Sequence, residues 1–378
     1  MSVFLFLKQI VDILYPYRWL DYMMVAMAMV ALVYQIILVR PNPKGKITVA
    51  DGCISILLVL FIIAFFRQDC CDYPNFVKVL SAFFMYFVGR IYYERIQECE
   101  AALAISSYIV VYVNFLYRLL TYGINLFSVE NAHGDLYYYD TDMAVAMLIA
   151  FSFIAMYARN NLKKFFTSLF VIPYMVLCSD ADVQKILLVA LFAIVALYVL
   201  EMAGVKRKFS DFMLGAAIVG LLITVLILIS PVFTGTDNNF VVDLLYGDSV
   251  SAHNIYYRYE GWRQVWQSVS ESSLNIKLFG LGLEADIAVY SLYLKVMYVL
   301  GLVGLILMFA FIFSIVHYVI LVEDRKTFYV TVLLSVMILG TGLLNNSIEA
   351  TQMSWFPMLF AGMVVSSVQA ERRRIGFE

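Results

Sequence analysis

Long apolar runs, most of them near the length of a bilayer-crossing helix, alternate with short polar connections along almost the whole chain. A spanning helix needs about 20 apolar residues. On that rule, spans are predicted at about 22–39, 52–66, 76–93, 102–120, 143–158, 165–178, 186–203, 212–230, 300–321, 328–344 and 355–369. The sixth is short and implies little tilt or a locally thinned bilayer. Residues 3–20 are also apolar but punctuated by Lys8, Asp12 and Arg18, so they either lie in the interface or make a twelfth, irregular span. One interval breaks the rhythm: Pro231 to Ala288 is a single long polar excursion.

Lysine and arginine collect in alternate connections. Arg40, Lys44 and Lys46; Arg95; Arg159, Lys163 and Lys164; Lys206, Arg207 and Lys208; Arg325 and Lys326; and Arg372, Arg373 and Arg374 can all be cytoplasmic at once. The connections near 67–75, 121–142, 179–185, 231–286 and 345–354 then face outward. An eleven-span count leaves the N-terminus outside, whereas a twelfth span over 3–20 restores a cytoplasmic start. No cleavable signal is expected, because Lys8 and Asp12 interrupt the first apolar stretch and no small-residue cleavage site follows.

Composition agrees with this pattern. Hydrophobic residues make up 63% of the 378, charged residues 14%, and the mean hydropathy is +0.85, values foreign to soluble domains. The expected fold class is an all-α polytopic membrane protein of about 11–12 transmembrane helices, a single integral membrane domain over 1–378. Its long outer loop, 231–286, is expected to carry short amphipathic helices. Basic residues end apolar runs and form no stripe, so nucleic acid is set aside as a partner. Cys53, Cys70, Cys71, Cys99 and Cys178 have no metal-ligand spacing and read as packing residues. No HExxH, CxxC or carboxylate cluster is present, so neither metal nor cofactor is expected.

The loop concentrates the candidate chemistry in Tyr256-Tyr257-Arg258-Tyr259-Glu260-Gly261-Trp262-Arg263-Gln264-Val265-Trp266. Trp262, Val265, Trp266 and Val269 recur at helical spacing, an apolar stripe suited to the membrane surface. Arg258 and Arg263 are separated by about 140° around a helix and flank that stripe. A guanidinium fork donates paired hydrogen bonds to phosphate oxygens and stays charged when buried. Ordinary interfacial anchoring would use the same residue types. Arg118, inside the fourth apolar run, is a third cation of interest, because charge in a hydrophobic segment is costly.

The segments after the loop carry a resemblance. Leu278-Phe279-Gly280-Leu281-Gly282-Leu283, Tyr290-Ser291-Leu292-Tyr293-Leu294-Lys295 and Leu300-Gly301-Leu302-Val303-Gly304-Leu305 follow Arg263 and Trp266 in order. Together they resemble the signature of the O-antigen polymerase and ligase superfamily: an Arg ahead of a Trp, an FGxG turn, a short outer helix and a GxxG opening the next span. The segment from Gly134 to Ala144 also resembles the polymerases' approach to their middle span. Tyr290 and Ser291 stand where ligases carry a His-Asn pair, and His253 lies too early to fill that place. The O-antigen polymerase family is therefore favoured.

The resemblance implies a metal-independent, membrane-embedded glycosyltransferase in the bacterial inner membrane, with its site facing the periplasm. A glycan on undecaprenyl pyrophosphate would be moved onto a lipid-linked repeat unit, with a chain-length regulator and a flippase as further candidate partners. Cations must stand where the pyrophosphate leaves, for which Arg258 and Arg263 are the first candidates. Asp142 and Glu349, at membrane boundaries, are candidates for the acceptor side. Asp140, Glu260 and Asp286 share that chemistry with less claim. Arg118, His253, Tyr257, Trp262 and Trp266 are candidate substrate contacts, the aromatic rings by stacking on sugars. The alternatives are a ligase-type transferase, a flippase or transporter of the same lipid-linked oligosaccharide, and a non-catalytic membrane protein.

Overall fold

The computed structural model describes residues 1–13, 18–34, 46–67, 73–125, 127, 140–178, 182–209, 211–213, 250–282, 289, 291–344 and 346–374. Among these residues the regular structure is entirely helical. In chain order the helices are α1 (Ser2–Ile13), α2 (Arg18–Tyr34), α3 (Val49–Phe66), α4 (Tyr73–Ile91), α5 (Tyr93–Gln97), α6 (Glu100–Tyr122) and α7 (Asp140–Tyr157). They continue as α8 (Asn161–Pro173), α9 (Asp182–Met202), α10 (Val250–Ser270), α11 (Leu274–Phe279), α12 (Leu292–Leu321), α13 (Arg325–Leu344) and α14 (Thr351–Arg374). Five of the described helices are long and apolar enough to cross a bilayer: α3, α6, α12, α13 and α14. Shorter apolar helices run over Met143–Tyr157 and Ile186–Met202. The chain is a helical membrane protein. The span expected at 212–230 and most of the stretch before α10 lie outside the described residues.

Side-chain caps start several of the helices. Thr48 accepts from the Asp51 amide while Asp51 accepts back from the Thr48 amide, a reciprocal box that opens α3. Asn160 caps α8 through the Lys163 amide, and Asp324 accepts from the Thr327 amide at the start of α13. Each cap serves N–H groups that have no partner within the helix.

Among the described residues, Arg90, Arg325 and Lys326 make ion pairs at one end of the bundle. Arg90 makes a bidentate pair with Asp51, Nε and Nη2 donating at 2.9 and 2.8 Å, and reaches Ser366 and Gln369 on α14. Arg325 makes a second bidentate pair with Glu201, at 2.6 and 2.7 Å, while Tyr329 donates to the same carboxylate. Lys326 pairs with Glu100 at 3.3 Å. These ties join the connections that the lysine and arginine pattern grouped together.

Two helices form the interior. Nearly every residue of α14 up to Gln369 is buried, and α7 is covered on all sides over 143–154. The α4–α14 pairing is the most extensive in the bundle, and two glycines make it possible. A Cβ on Gly89 would lie 2.0 Å from the Leu359 carbonyl oxygen, and one on Gly362 would lie 2.0 Å from that of Tyr86. Such close backbone approach lets membrane helices gain dispersion contacts where no hydrophobic effect drives them together.

One face of the N-terminal segment belongs to this interior. Ser2 Oγ is 3.1 Å from Cys99 Sγ, and Gln9 accepts from Ser106 and Ser107 at 2.7 and 2.9 Å, so α1 runs parallel to α6 from the basic end inward. Helix α1 lays one face against α6 and keeps Val3 and Leu7 exposed, at 71% and 38%, and at 12 residues it is shorter than a bilayer-crossing helix. Lys8 is 1% exposed, paired with Asp12, donating to Thr351 Oγ1 at 3.2 Å and lying over the Trp355 ring at 4.7 Å. The polar residues that obscured this element in the sequence are those it buries.

Candidate functional site

At the end opposite the basic cluster, two glycines fix the elements that follow the long loop. Within α12, Gly301 has φ 68° and ψ −165°, which divides the element into a short segment, Leu292–Leu300, and the long apolar helix beyond. Gly280, just after α11, has φ 76°. Each occupies the space where the other's segment would place a side chain. A Cβ on Gly280 would lie 2.3 Å from the Val299 oxygen, and one on Gly301 would lie 2.4 Å from the Leu278 carbonyl. The Leu281 amide donates to the Tyr298 carbonyl at 2.8 Å and seals the crossing. Only glycine combines that backbone region with that lack of volume. The two glycine motifs read from sequence thus meet as one joint.

The helix α10 packs on α12 and touches α11. Tyr259, Trp262, Val265 and Val269 are its buried face, with Tyr259 and Trp262 in an edge-on ring contact at 5.5 Å, whereas Trp266 is 37% exposed. The apolar stripe is therefore turned toward protein, with Tyr259 in it and Trp266 at its margin, a difference from the surface-lying helix expected. Arg258 and Arg263 are half-buried beside the stripe. His253 and Tyr257 are helical positions in α10, and Asp140 and Asp142 begin α7; their side chains lie outside those described. Asp286 and the 134–139 segment lie outside the described residues altogether.

Glu349 is placed in the turn before α14, where it pairs with Lys295 of the first turn of α12 at 3.8 Å. Both line a groove formed by α3, α4, α12, α13 and α14. Among the described lining residues only Lys295, Glu349 and Ser335 are polar. Half-buried Val296, Ile312, Ile338 and Leu339 and exposed Val316 mark its open side.

Arg118 stands apart from α10. It is 0% exposed on α6, with the Tyr122 and Tyr174 rings each 5.3 Å from its guanidinium carbon. Tyr174 reaches it because Pro173 ends α8 and the chain continues through one π-helical turn, Tyr174–Cys178, a widening often found at functional positions. One helical turn before Arg118, the fully buried Asn114 carboxamide meets no hydrogen-bonding group among the described residues. Buried polar groups without partners are costly and uncommon. Trp262 Nε1, Thr341 Oγ1 and Gln352 Nε2 are in the same condition.

The structure thus joins Glu349 to Lys295, sets Arg258, Arg263, Trp262 and Trp266 on a helix seated against α12, and leaves Arg118 in an aromatic enclosure on α6. Sequence reasoning missed Gln9, Asn114 and Tyr174, and treated Lys8 and Asp12 as interruptions of an apolar run. The i, i+4 spacing of Lys8 and Asp12, and of Asn114 and Arg118, was the available signal. Cys53 and Cys99 are buried free thiols, while Cys70 and Cys71 lie outside the described residues. Among the described residues, no three His, Cys, Asp or Glu side chains cluster. Comparison with protein-family models, with curated proteins and with solved structures returned no significant match.

Proposed function

We propose that the chain is a surface-polysaccharide polymerase of the O-antigen type, resident in the bacterial inner membrane with its site at the periplasmic face. It transfers a glycan from undecaprenyl pyrophosphate to a lipid-linked repeat unit. The observation that carries this reading is the Gly280–Gly301 joint. It unites in one piece of structure the glycine motifs of the resemblance, and α12, on one side of that joint, carries Lys295 and seats α10 with its two arginines. The gathering of lysine and arginine at the other end of the bundle supports the sidedness.

In the transfer, the acceptor hydroxyl bonds to the anomeric carbon as the bond to the lipid pyrophosphate breaks. Negative charge grows on the departing oxygen, and fixed guanidinium groups stabilise it most where water is scarce. Arg258 and Arg263 fill that role. Alignment of the two lipid-linked substrates in one membrane plane supplies much of the remaining acceleration.

Complementation of a polymerase-deficient strain, followed by gel analysis of its lipopolysaccharide, tests the assignment. The chain restores a ladder of repeat units, and Arg263→Ala abolishes it without affecting membrane insertion. Arg263→Lys also fails, because an ammonium cannot reproduce the bidentate fork. A ladder that survives loss of both Arg258 and Arg263, or labelling that puts 231–286 in the cytosol, refutes the proposal. A transporter of the same lipid-linked oligosaccharide is the second reading, favoured by the buried Lys8, Asp12 and Arg118 inside the bundle. Rescue of a flippase-deficient strain and not of a polymerase-deficient one decides for it.

A further inference from the structure

The edge of the bundle around the Arg325–Glu201 pair holds more cations than its carboxylates match. Arg207 pairs with Asp211 at 3.5 Å, Arg325 with Glu201 and Asp211, and Lys326 with Glu100. Asp324 is taken up by the Thr327 amide and hydroxyl, and Glu323 lies toward Glu371 of α14. Among the described residues, no carboxylate is left for Lys163 and Lys164 at the start of α8 or for Lys206 and Lys208 after α9. Lys164 donates instead to the Ala155 carbonyl at 2.7 Å, within electrostatic reach of Lys326. Since Arg325, the neighbour of Lys326, holds both Glu201 and Asp211, the two pairs of lysines lie along one edge.

Exposed rings follow these lysines in the chain. Phe165 and Phe166 are exposed on α8, and Phe209 and Phe212 after α9, the last at 71%. Helix α9 closes at Gly204, with φ 100°, where the Gly204 amide donates to the Glu201 carbonyl and the Val205 amide to that of Leu200, both at 3.0 Å. The chain then crosses to the end of α12, where Arg207 donates to the Ile320 carbonyl at 3.2 Å. Apolar rings interleaved with ammonium groups suit the layer where acyl chains meet phosphates. On α8 the exposure continues inward through Leu162, Phe166, Leu169 and Ile172. That stripe rises about 15 Å, the hydrocarbon depth of one leaflet.

We propose that this edge binds an anionic glycerophospholipid of the leaflet at the basic end. Lys163 and Lys164 take the phosphodiester, Lys206 and Lys208 add to the field that draws it, and one acyl chain lies on the α8 stripe. An ammonium is a compact charge on a flexible stem, which follows a headgroup through the positions it visits in a fluid membrane. A zwitterionic headgroup brings its own cation, and the unmatched lysines repel that cation as much as they attract its phosphate. The site is separate from α10 and from the Lys295–Glu349 groove, so it stands whether the chain transfers a glycan or transports one.

The test titrates the full-length protein, in a nonionic detergent, with dioleoyl phosphatidylglycerol or dioleoyl phosphatidylcholine and counts retained lipid by native mass spectrometry. Phosphatidylglycerol binds about 100-fold tighter. Lys163→Gln with Lys164→Gln weakens it about 25-fold, five-fold for each charge, and leaves phosphatidylcholine unchanged. Lys206→Gln with Lys208→Gln weakens it about five-fold in total, because those charges act from farther away. Phe166→Ser with Leu169→Ser weakens both lipids alike. Arg372→Gln with Arg374→Gln, at the same end but on α14, changes neither; a loss there equal to that of the lysine variants means diffuse charge and overturns the site. Should Lys164→Gln lose its gel-filtration peak with the Ala155 contact, Lys163→Gln with Lys206→Gln replaces that pair. Equal affinity for the two lipids overturns the anionic headgroup. Displacement by glycerol 3-phosphate at the lipid's own concentration overturns the role of the α8 stripe.

Discussion

The joint between α11 and α12 makes a quantitative prediction about a single methyl group. In Gly301→Ala the backbone at φ 68° and ψ −165° must be held by a residue with a Cβ, which costs about 1–3 kcal/mol. The new carbon would also stand 2.4 Å from the Leu278 carbonyl and 2.6 Å from the Gly280 nitrogen. Those are backbone atoms and cannot rotate aside, so α11 must retreat and the Leu281–Tyr298 hydrogen bond is lost, worth about 1 kcal/mol. The sum is about 2–4 kcal/mol before any further cost of moving α11, large for one substitution.

Two other glycines separate the contributions. Gly123 has φ 57° with nothing within 4 Å of its added Cβ, so Gly123→Ala carries backbone strain without crowding and loses about 1–3 kcal/mol. Gly52 lies inside α3 with open space around its Cβ, and Gly52→Ala is neutral or gains about 0.4–1 kcal/mol. Unfolding of the three variants by titration with sodium dodecyl sulfate in mixed micelles, followed by tryptophan fluorescence, measures the differences. If Gly301→Ala falls within about 0.5 kcal/mol of Gly123→Ala, the crowding is absent and the joint as described is refuted.

Two further outcomes follow from the buried charges. Lys8→Met removes the ammonium that the Asp12 carboxylate meets inside the bundle and costs about 3–5 kcal/mol, whereas Lys8→Met with Asp12→Leu recovers most of that loss. A double-mutant cycle in mixed micelles reads the coupling, and additive costs would deny the pair. Asp51→Asn withdraws the charge from the Arg90 pair, whose side chains are each 14% exposed. It costs about 2–4 kcal/mol, against about 1 kcal/mol for Thr48→Ala, which removes only the cap. Equal losses in the two variants would mean that the Arg90 contact contributes nothing.

The helices were legible in the sequence because bilayer thickness and hydrophobic period constrain an apolar run directly. Expected spans at 52–66, 102–120 and 186–203 correspond to Val49–Phe66, Glu100–Tyr122 and Asp182–Met202. The observed helices begin a few residues earlier, since capping and first-turn polar groups such as Thr48 and Asp51 precede the apolar stretch that a hydropathy rule detects. The positions of Gly280, Gly282, Gly301 and Gly304 were equally visible, but their spacing held no information about which segment would cross which. α1 shows the limit most plainly. Its Lys8, Gln9 and Asp12 read as polar interruptions because a hydropathy sum has no term for a partner: Lys8 and Asp12 pair with each other, and the further partners Thr351, Ser106 and Ser107 of Lys8 and Gln9 lie far along the chain.

By itself, then, the sequence determined that this is a helical membrane protein, where its apolar helices run, which connections share the basic end, and that two arginines ride on one helical segment. Those properties are local: each depends on the composition of about 20 neighbouring residues and on the water or lipid they face. Tertiary structure alone decided that α1 packs on α6, that α10 turns its aromatic stripe to α12, that Tyr174 closes on Arg118, and that Lys295 meets Glu349 at the mouth of the groove. Contacts of that kind form between residues distant in the chain. Their energies depend on how closely two backbones approach, and here glycines at 89, 280, 301 and 362 set that distance.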